Sequence, residues 1–181
     1  MYTLEELIEG CKKQSRKHQD ALYKKYGNML YGVALRYTKN GFDAEDVLQE
    51  GWVKIYKNID SYTINNSFEG WIRRIMVNTA ITHYRKNLKH AYHHDIEDVP
   101  QARTTDAPFG VDEYTKEELM TTINNLPDGY RIVFNMYVIE GYKHKEIAEE
   151  LNIDINTSKS QLSRAKKYLQ RELQELSKIN L

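Results

Sequence analysis

The sequence has few of the features that mark secreted or membrane proteins. Among its 181 residues is a single cysteine, Cys11, so no disulfide can form within the chain and a reducing compartment is indicated. Whether Cys11 has a redox role stays open, because Lys12 and Lys13 beside it could lower its pKa. No apolar run approaches the ~20 residues of a membrane-spanning helix, and an acidic start predicts no signal peptide. We therefore expect a cytoplasmic protein without membrane insertion.

The motifs of common enzymes are absent as well. The sequence holds no Gly-rich phosphate loop, no nucleophile elbow and no HExxH. One metal-like grouping exists, formed by His90, His93, His94 and Asp95. We interpret it as a solvated His-rich segment, because no residues that would orient the histidines accompany it. The sequence thus predicts no catalytic residue, no metal, no other cofactor and no enzyme.

Proline is scarce, and all three prolines, Pro100, Pro108 and Pro127, lie in the second half. Apolar residues recur at helical spacing through both halves. This pattern predicts helices over residues 3–13, 16–39, 43–59, about 69–89, 113–125, 129–140, 143–151 and 157–176. Asn40 and Gly41 are expected to cap the second helix, and Gly141 the sixth.

The formal charge of zero hides a partition along the chain. Residues 1–90 carry 15 basic and 10 acidic groups, residues 91–112 carry 1 and 5, and residues 113–181 carry 10 and 11. The middle segment also loses the helical periodicity and contains two prolines. We therefore predict an all-α chain of two small helical domains, residues 1–90 and 113–181, joined by a flexible acidic linker over 91–112.

The sign of the charge also changes abruptly within the second domain. Residues 138–154 hold five acids and two lysines, whereas residues 155–171 hold five Lys or Arg and no acid. A supporting helix, a short turn and a basic helix predict a helix-turn-helix whose second helix reads DNA. Asn156 is expected to take the left-handed conformation of the turn, and Asn156 or Thr157 to cap the second helix. A solvated basic face is the plainer interpretation of this helix taken alone.

A second basic stretch favours nucleic-acid binding. Residues 70–94 contain no acid, five Lys or Arg, and three aromatic residues. Cations follow a phosphate backbone, and nearby polar or aromatic side chains can hold unstacked bases. Asn78 and Thr82 are polar residues one turn apart among aliphatic ones, so they are candidates for such contacts. Trp71 is expected in the core.

Three stretches together resemble the extracytoplasmic-function (ECF) sigma factors of the sigma-70 family, the smallest bacterial initiation factors for RNA polymerase. They are DAEDVLQEGWVKIYKNI at 43–59, WIRRIMVNTAITHY at 71–84 and EIAEELNIDINTSKSQLSRAKKYL at 146–169. The resemblance covers about residues 10–176. It implies a factor that binds core RNA polymerase, reads the minus-ten and minus-thirty-five promoter elements, and traps melted non-template DNA.

The resemblance also assigns residues to each contact. Those implied to dock on the clamp helices of the polymerase β′ subunit are Asp46, Gln49, Glu50 and Val53. Those implied to bind the minus-ten element are Tyr62, Arg73, Arg74, Asn78, Thr82, Arg85 and Lys86. Those implied to bind the minus-thirty-five element are Thr157, Lys159, Ser160, Ser163, Arg164 and Lys167. The implied partners are core RNA polymerase through β′ and β, promoter DNA, and an anti-sigma factor.

A stand-alone helix-turn-helix regulator is the alternative. It explains residues 140–171, but it leaves the DVLQEG stretch and the basic residues between 70 and 94 without a role. Binding to core polymerase separates the two hypotheses.

Overall fold

The computed structural model describes residues 2–38, 40–63, 67–91 and 114–179. Every regular element in these ranges is a helix, as the apolar spacing predicted. The chain divides into two compact units, Met1–Lys86 and Asn87–Leu181. The prediction of two small helical domains is thus confirmed, while the predicted linker lies, apart from its first residue, outside the described residues.

Four α-helices begin in the described part of unit 1, and the last of them continues past its boundary at Lys86. They are α1 (Leu4–Lys12), α2 (Arg16–Leu35), α3 (Gly41–Asn58) and α4 (Phe68–Ala91), with a 3-10 turn, Ile59–Ser61, directly after α3. Thr3 begins α1 with a reciprocal cap, because its hydroxyl accepts the Glu6 N–H at 3.2 Å and the Glu6 carboxylate accepts the Thr3 N–H at 2.8 Å. The bounds of α1 and α3 agree with prediction to within two residues.

The segment between α2 and α3 corrects one prediction. Asn40 does not cap the end of α2; its extended backbone and side chain begin α3, where Oδ1 accepts the Asp43 N–H at 2.9 Å. Gly41 is the first residue of α3, and α2 ends at Leu35. Asparagine is common both at the N-cap and just after the C-terminus of helices, so the residue type alone did not show which of the two helices Asn40 caps.

The core of unit 1 forms around the apolar side of α3. Ala44, Val47, Leu48, Trp52 and Ile55 are all buried on this side. Burial of side chains of this size stabilises the fold by about 1.5–3 kcal/mol for each of the larger ones. The same packing determines which side of α3 stays exposed.

Unit 2 contains α5 (Lys116–Asn124), α6 (Asp128–Phe134), α7 (His144–Leu151) and α8 (Ile155–Ile179), and a π-helical turn, Asn135–Ile139, continues α6. Gly141 takes a positive φ of 78° after this turn, as expected of the glycine predicted to end the helix. Leu126, Tyr130, Ala165 and Leu169 form a buried cluster.

A buried arginine closes the turn between α5 and α6. Arg131 is 3% exposed, and its guanidinium donates to the Asn124 carbonyl and to the Asp128 carboxylate, each at 3.0 Å. A charged group at this depth is tolerated only when it is hydrogen-bonded in this way. Arg131 therefore belongs to the fold of unit 2 and not to its basic surface.

The contact between α1 and α2 gives a stability prediction. A methyl group at Gly10 would lie 2.6 Å from the Cβ of His18, whereas one at Gly32 would meet nothing within 4 Å. We expect Gly10→Ala to lower the free energy of unfolding by about 1–3 kcal/mol through overpacking. Gly32→Ala, the matched control within α2, should be neutral or stabilising by up to ~1 kcal/mol.

Urea denaturation of the Gly10→Ala and Gly32→Ala variants and of the parent chain measures these free energies of unfolding. Equal stability of the two variants would show that the His18 ring moves aside without cost.

Candidate functional site

The α3 face is the exposed side of α3, defined by Asp46, Gln49, Glu50 and Val53. These residues follow one another at spacings of three, one and three, which places them on one side of a helix. Asp46 and Gln49 are exposed, Val53 is 50% exposed and Glu50 is half-buried. The structure therefore brings all four together, opposite the buried side.

Glu50 differs from the other three because it already has a partner. Its carboxylate lies 2.9 Å from the Lys54 ammonium, which in turn donates to the Thr79 hydroxyl on α4 at 3.2 Å. The hydrogen bond from Lys54 lowers the pKa of Glu50, and the charges of Lys86 and His83 act in the same direction. Glu50 thus lies at the border between the α3 face and α4.

The α4 face is a basic and polar stripe without an acid. Its members lie four, four, three and one residues apart, so they share one side of α4, and all are exposed. They are Arg74, Asn78, Thr82, Arg85 and Lys86. The Thr82 hydroxyl donates to the Asn78 carbonyl at 2.8 Å. From Arg74 to Arg85 the stripe extends ~16 Å along the helix.

Two predicted minus-ten residues are not part of this stripe. Arg73 is half-buried and points about 100° away from Arg74 around the helix axis. Tyr62 is only 7% exposed, and its ring packs against those of Phe68 at 5.1 Å and Trp71 at 5.5 Å. The DNA contact of Tyr62 therefore stays a prediction, and in this structure its ring belongs to an aromatic cluster.

The helix-turn-helix is formed by α7, residues 152–154 and α8. Asn152, and not Asn156, takes the left-handed conformation, with φ 54° and ψ 48°. Asn156 is helical, and the Asp154 carboxylate accepts its N–H at 2.7 Å. The predictions for Asn156 and Thr157 in the turn and cap are therefore wrong, because α8 begins two residues earlier than expected.

The α8 face lies opposite the buried side of α8. Ser158, Leu162, Ala165 and Leu169 are buried, as the helical pattern predicted. All the predicted minus-thirty-five residues are exposed or half-buried. They are Thr157, Lys159, Ser160, Ser163, Arg164 and Lys167. Ser160, Ser163, Arg164 and Lys167 occupy the centre of the face, whereas Lys159 lies on its flank towards α7.

A polar contact joins the two helices of the helix-turn-helix. The His144 ring at the start of α7 bonds through Nδ1 to the fully buried Ser158 hydroxyl at 2.9 Å, and it stacks on Tyr137 with 4.5 Å between ring centres. Burial lowers the pKa of His144, and the nearby charges of Lys159 and Lys166 add to this effect. Sequence reasoning singled out neither His144 nor Lys166; the lysine was visible only as one of several on a basic helix.

Cys11 is 2% exposed, and burial raises its pKa to about 11. The suggestion that Lys12 and Lys13 lower this pKa is therefore wrong. A protonated and enclosed thiol is a poor nucleophile, which argues against a redox role.

Within the described ranges, no three His, Cys, Asp or Glu side chains are placed to hold a metal ion. His93, His94 and Asp95 lie outside those ranges, and so does the side chain of His90. None of the helices that the structure describes combines the length and the hydrophobicity of a membrane-spanning segment.

Comparison with known proteins gives a consistent result for both units. Residues 22–90 match the family model of sigma-70 region 2, and residues 116–169 match that of sigma-70 region 4. The chain is 33% identical over 162 residues to the ECF RNA polymerase sigma factor SigW of Bacillus subtilis, covering 83% of this chain and 86% of that protein. It is 29% identical over 182 residues to an ECF RNA polymerase sigma-E factor of Haemophilus influenzae, covering 94% and 95%.

Solved structures resemble the chain more weakly. CnrH, solved in complex with the cytosolic domain of CnrY, has a TM-score of 0.48 at 20% identity and covers 93% of this chain and 96% of that chain. RpoE of Bartonella quintana, solved with the anti-sigma factor NepR, has the same score and identity, with coverage of 86% and 96%.

The chain belongs to the ECF sigma factors of the sigma-70 family. It is a transcription initiation factor that binds core RNA polymerase and directs it to promoter DNA. A stand-alone helix-turn-helix regulator would have no use for a sigma-70 region 2, so that alternative is set aside.

The partly buried position of His144, with Lys159 and Lys166 nearby, predicts a dependence of stability on pH. Its pKa in the folded chain lies below the ordinary 6.5, so the folded state binds this proton less readily than the unfolded state does. The stabilising contribution is complete above about pH 6.5 and is lost as the pH falls through the lowered pKa.

We expect the melting temperature of His144→Gln to fall less than that of the parent chain when the pH is lowered from about 7.5 to about 5.5. Thermal denaturation of the variant and of the parent chain at both pH values measures these changes. The other histidines are the same in the two chains, so their contribution cancels when the two changes in melting temperature are subtracted. An equal fall in melting temperature for both chains would show that folding does not change the pKa of His144.

Proposed function

We propose that the α3 face is the surface that binds core polymerase, at the clamp helices of its β′ subunit. The observation that carries this proposal is that one side of α3 groups the exposed Asp46, Gln49 and Val53 with the half-buried Glu50, while the opposite side of the helix is buried. Carboxylates with a neighbouring amide accept charge-assisted hydrogen bonds from arginines across an interface. Val53, being 50% exposed, adds apolar area.

The α4 face is proposed to bind the minus-ten element. Arg74, Arg85 and Lys86 supply cations along one side of the helix for the phosphate backbone. Asn78 lies between them and offers an amide to a base that has left the stack. Unstacking costs a few kcal/mol, which these contacts must offset. Promoter melting in this proposal uses binding energy alone, and the chain is no enzyme.

The role of Tyr62 and Arg73 in this proposal follows from their positions. The buried Tyr62 ring packs against the start of α4 through its contacts with Phe68 and Trp71. Arg73 points to a different side of α4 from the stripe and would contact backbone only at the border of the site.

The α8 face is proposed to read the minus-thirty-five element in the major groove. Arg164 lies near the centre of the face, flanked by the hydroxyls of Ser160 and Ser163, which can reach base edges or phosphates. Lys159 and Lys166 lie on the flank beside α7 and add phosphate contacts. The contact with the polymerase β subunit that the resemblance implies stays a prediction.

An anti-sigma factor is a further proposed partner. The α3 face and the α8 face must both meet large partners, so a protein that covers them holds the factor inactive until a signal arrives. We assign its place of action to the cytoplasm, because a sigma factor works on polymerase and DNA there.

A charge reversal on the α3 face tests the polymerase contact. Asp46→Arg should weaken binding to core polymerase at least roughly tenfold, because it places a cation where the partner is expected to carry one. Asp20→Arg, an equal change of charge at an exposed position on α2, should leave the affinity unaltered. Competition with a labelled sigma factor for core polymerase measures both, and equal affinities would count against the α3 face.

Two arginines of α8 provide a matched test of DNA reading. Arg164→Ala should weaken binding to the minus-thirty-five element by about 1–3 kcal/mol if the guanidinium makes a bidentate base contact. Arg171 is already engaged by the Glu172 carboxylate at 2.9 Å and by the Tyr168 ring, so Arg171→Ala should change little. Promoter selectivity of the reconstituted holoenzyme gives the measurement, and selectivity that survives Arg164→Ala would remove this residue from the interface.

A further inference from the structure

Phe42 is the most exposed large hydrophobic side chain among the residues that the structure describes. It is 84% exposed, whereas the next, Val53, is 50% exposed. Single exposed apolar residues are common on protein surfaces and need no explanation by themselves. The position of Phe42 relative to the α3 face makes it different.

Phe42 and Val53 lie on the same line along α3. They are eleven residues apart, which is three helical turns with about 20° left over, or ~16 Å along the axis. Asp46 and Gln49 lie between them, at four and seven residues from Phe42. The stripe therefore has an apolar group at each end and polar acceptors in the middle.

The first turn of α3 is held in place. The Asn40 side chain accepts the Asp43 N–H at 2.9 Å, and its amide donates to the Asp43 carboxylate at 3.1 Å. A capped turn does not fray, so the Phe42 ring leaves the helix from a fixed backbone position. An aromatic side chain buries about 150–250 Å² when it is enclosed in a protein. Most of this area of Phe42 is available to a partner, and little backbone entropy is lost when the ring binds.

The charge around Phe42 selects the kind of partner. Residues 41–53 hold four acids and no Lys or Arg. Phosphates would be repelled by such a surface, whereas a protein surface with an apolar depression and basic groups beside it would be complementary. The partner of this stripe is therefore a protein and not DNA.

We propose that Phe42 is an apolar anchor of the polymerase interface and extends the α3 face by one turn towards the start of the helix. This inference rests on the proposed role of the α3 face. Aromatic side chains are enriched in the buried cores of protein interfaces, where a ring that enters a pocket excludes water from the neighbouring hydrogen bonds. The acceptors of Asp46 and Gln49 would gain strength from that exclusion.

Three variants of the full chain test the proposal by competition for core polymerase. Phe42→Ser should weaken binding roughly tenfold, and Phe42→Leu, which keeps apolar area, should stay within about threefold of the parent. Asp46→Arg is the control that reports whether the α3 face itself binds core polymerase. Because Phe42 is 84% exposed, the melting temperature of Phe42→Ser should equal that of the parent chain.

The outcomes separate the two proposals. Loss of affinity in Asp46→Arg with no loss in Phe42→Ser would overturn the anchor and leave the α3 face standing. No loss in either variant would overturn the α3 face. Equal losses in Phe42→Ser and Phe42→Leu, a lowered melting temperature of Phe42→Ser, or weaker binding of that variant to promoter DNA without polymerase would each assign Phe42 another role.

Discussion

The burial of one side of α3 is the constraint on which unit 1 depends, since Ala44, Val47 and Ile55 on that side are all 0% exposed. Gly51 lies on the same side, and a methyl group there would lie 2.7 Å from the Met76 sulfur of α4, so the end of the Met76 side chain would have to move to accept it. With its inner side held in this way, α3 presents its outer side at a fixed orientation. The same relation holds in unit 2, where burial of Ser158, Ala165 and Leu169 fixes the outward side of α8.

Charge is distributed over the molecule according to what each face has to meet. The α3 face is acidic and is proposed to meet a protein, whereas the α4 and α8 faces are basic and are proposed to meet phosphates. Within the helix-turn-helix the acids Glu149 and Glu150 stay on the exposed supporting helix. A net charge of zero therefore reflects a separation of signs and gives no indication of the affinity of any one face.

The sequence allowed most helices and the buried sides of α3 and α8 to be predicted, because apolar spacing is a local property of the chain. It failed where one residue type suits two backbone positions. Asn40 begins a helix where an end was expected, and Asn152 takes the left-handed turn expected of Asn156. Burial depends on contacts distant in the chain, which is why the position of the Tyr62 ring and the raised pKa of Cys11 were not foreseen.

Within the six residues DVLQEG, positions required for folding and positions proposed for binding lie side by side. Val47, Leu48 and Gly51 point inward, whereas Asp46 and Gln49 point outward and Glu50 lies at the border. A mutational scan across this stretch would consequently produce loss of transcription for two unrelated reasons. Substitutions of the inward residues would reduce the amount of protein that survives proteolysis in the cell, while substitutions of the outward ones would leave abundant protein without its partner.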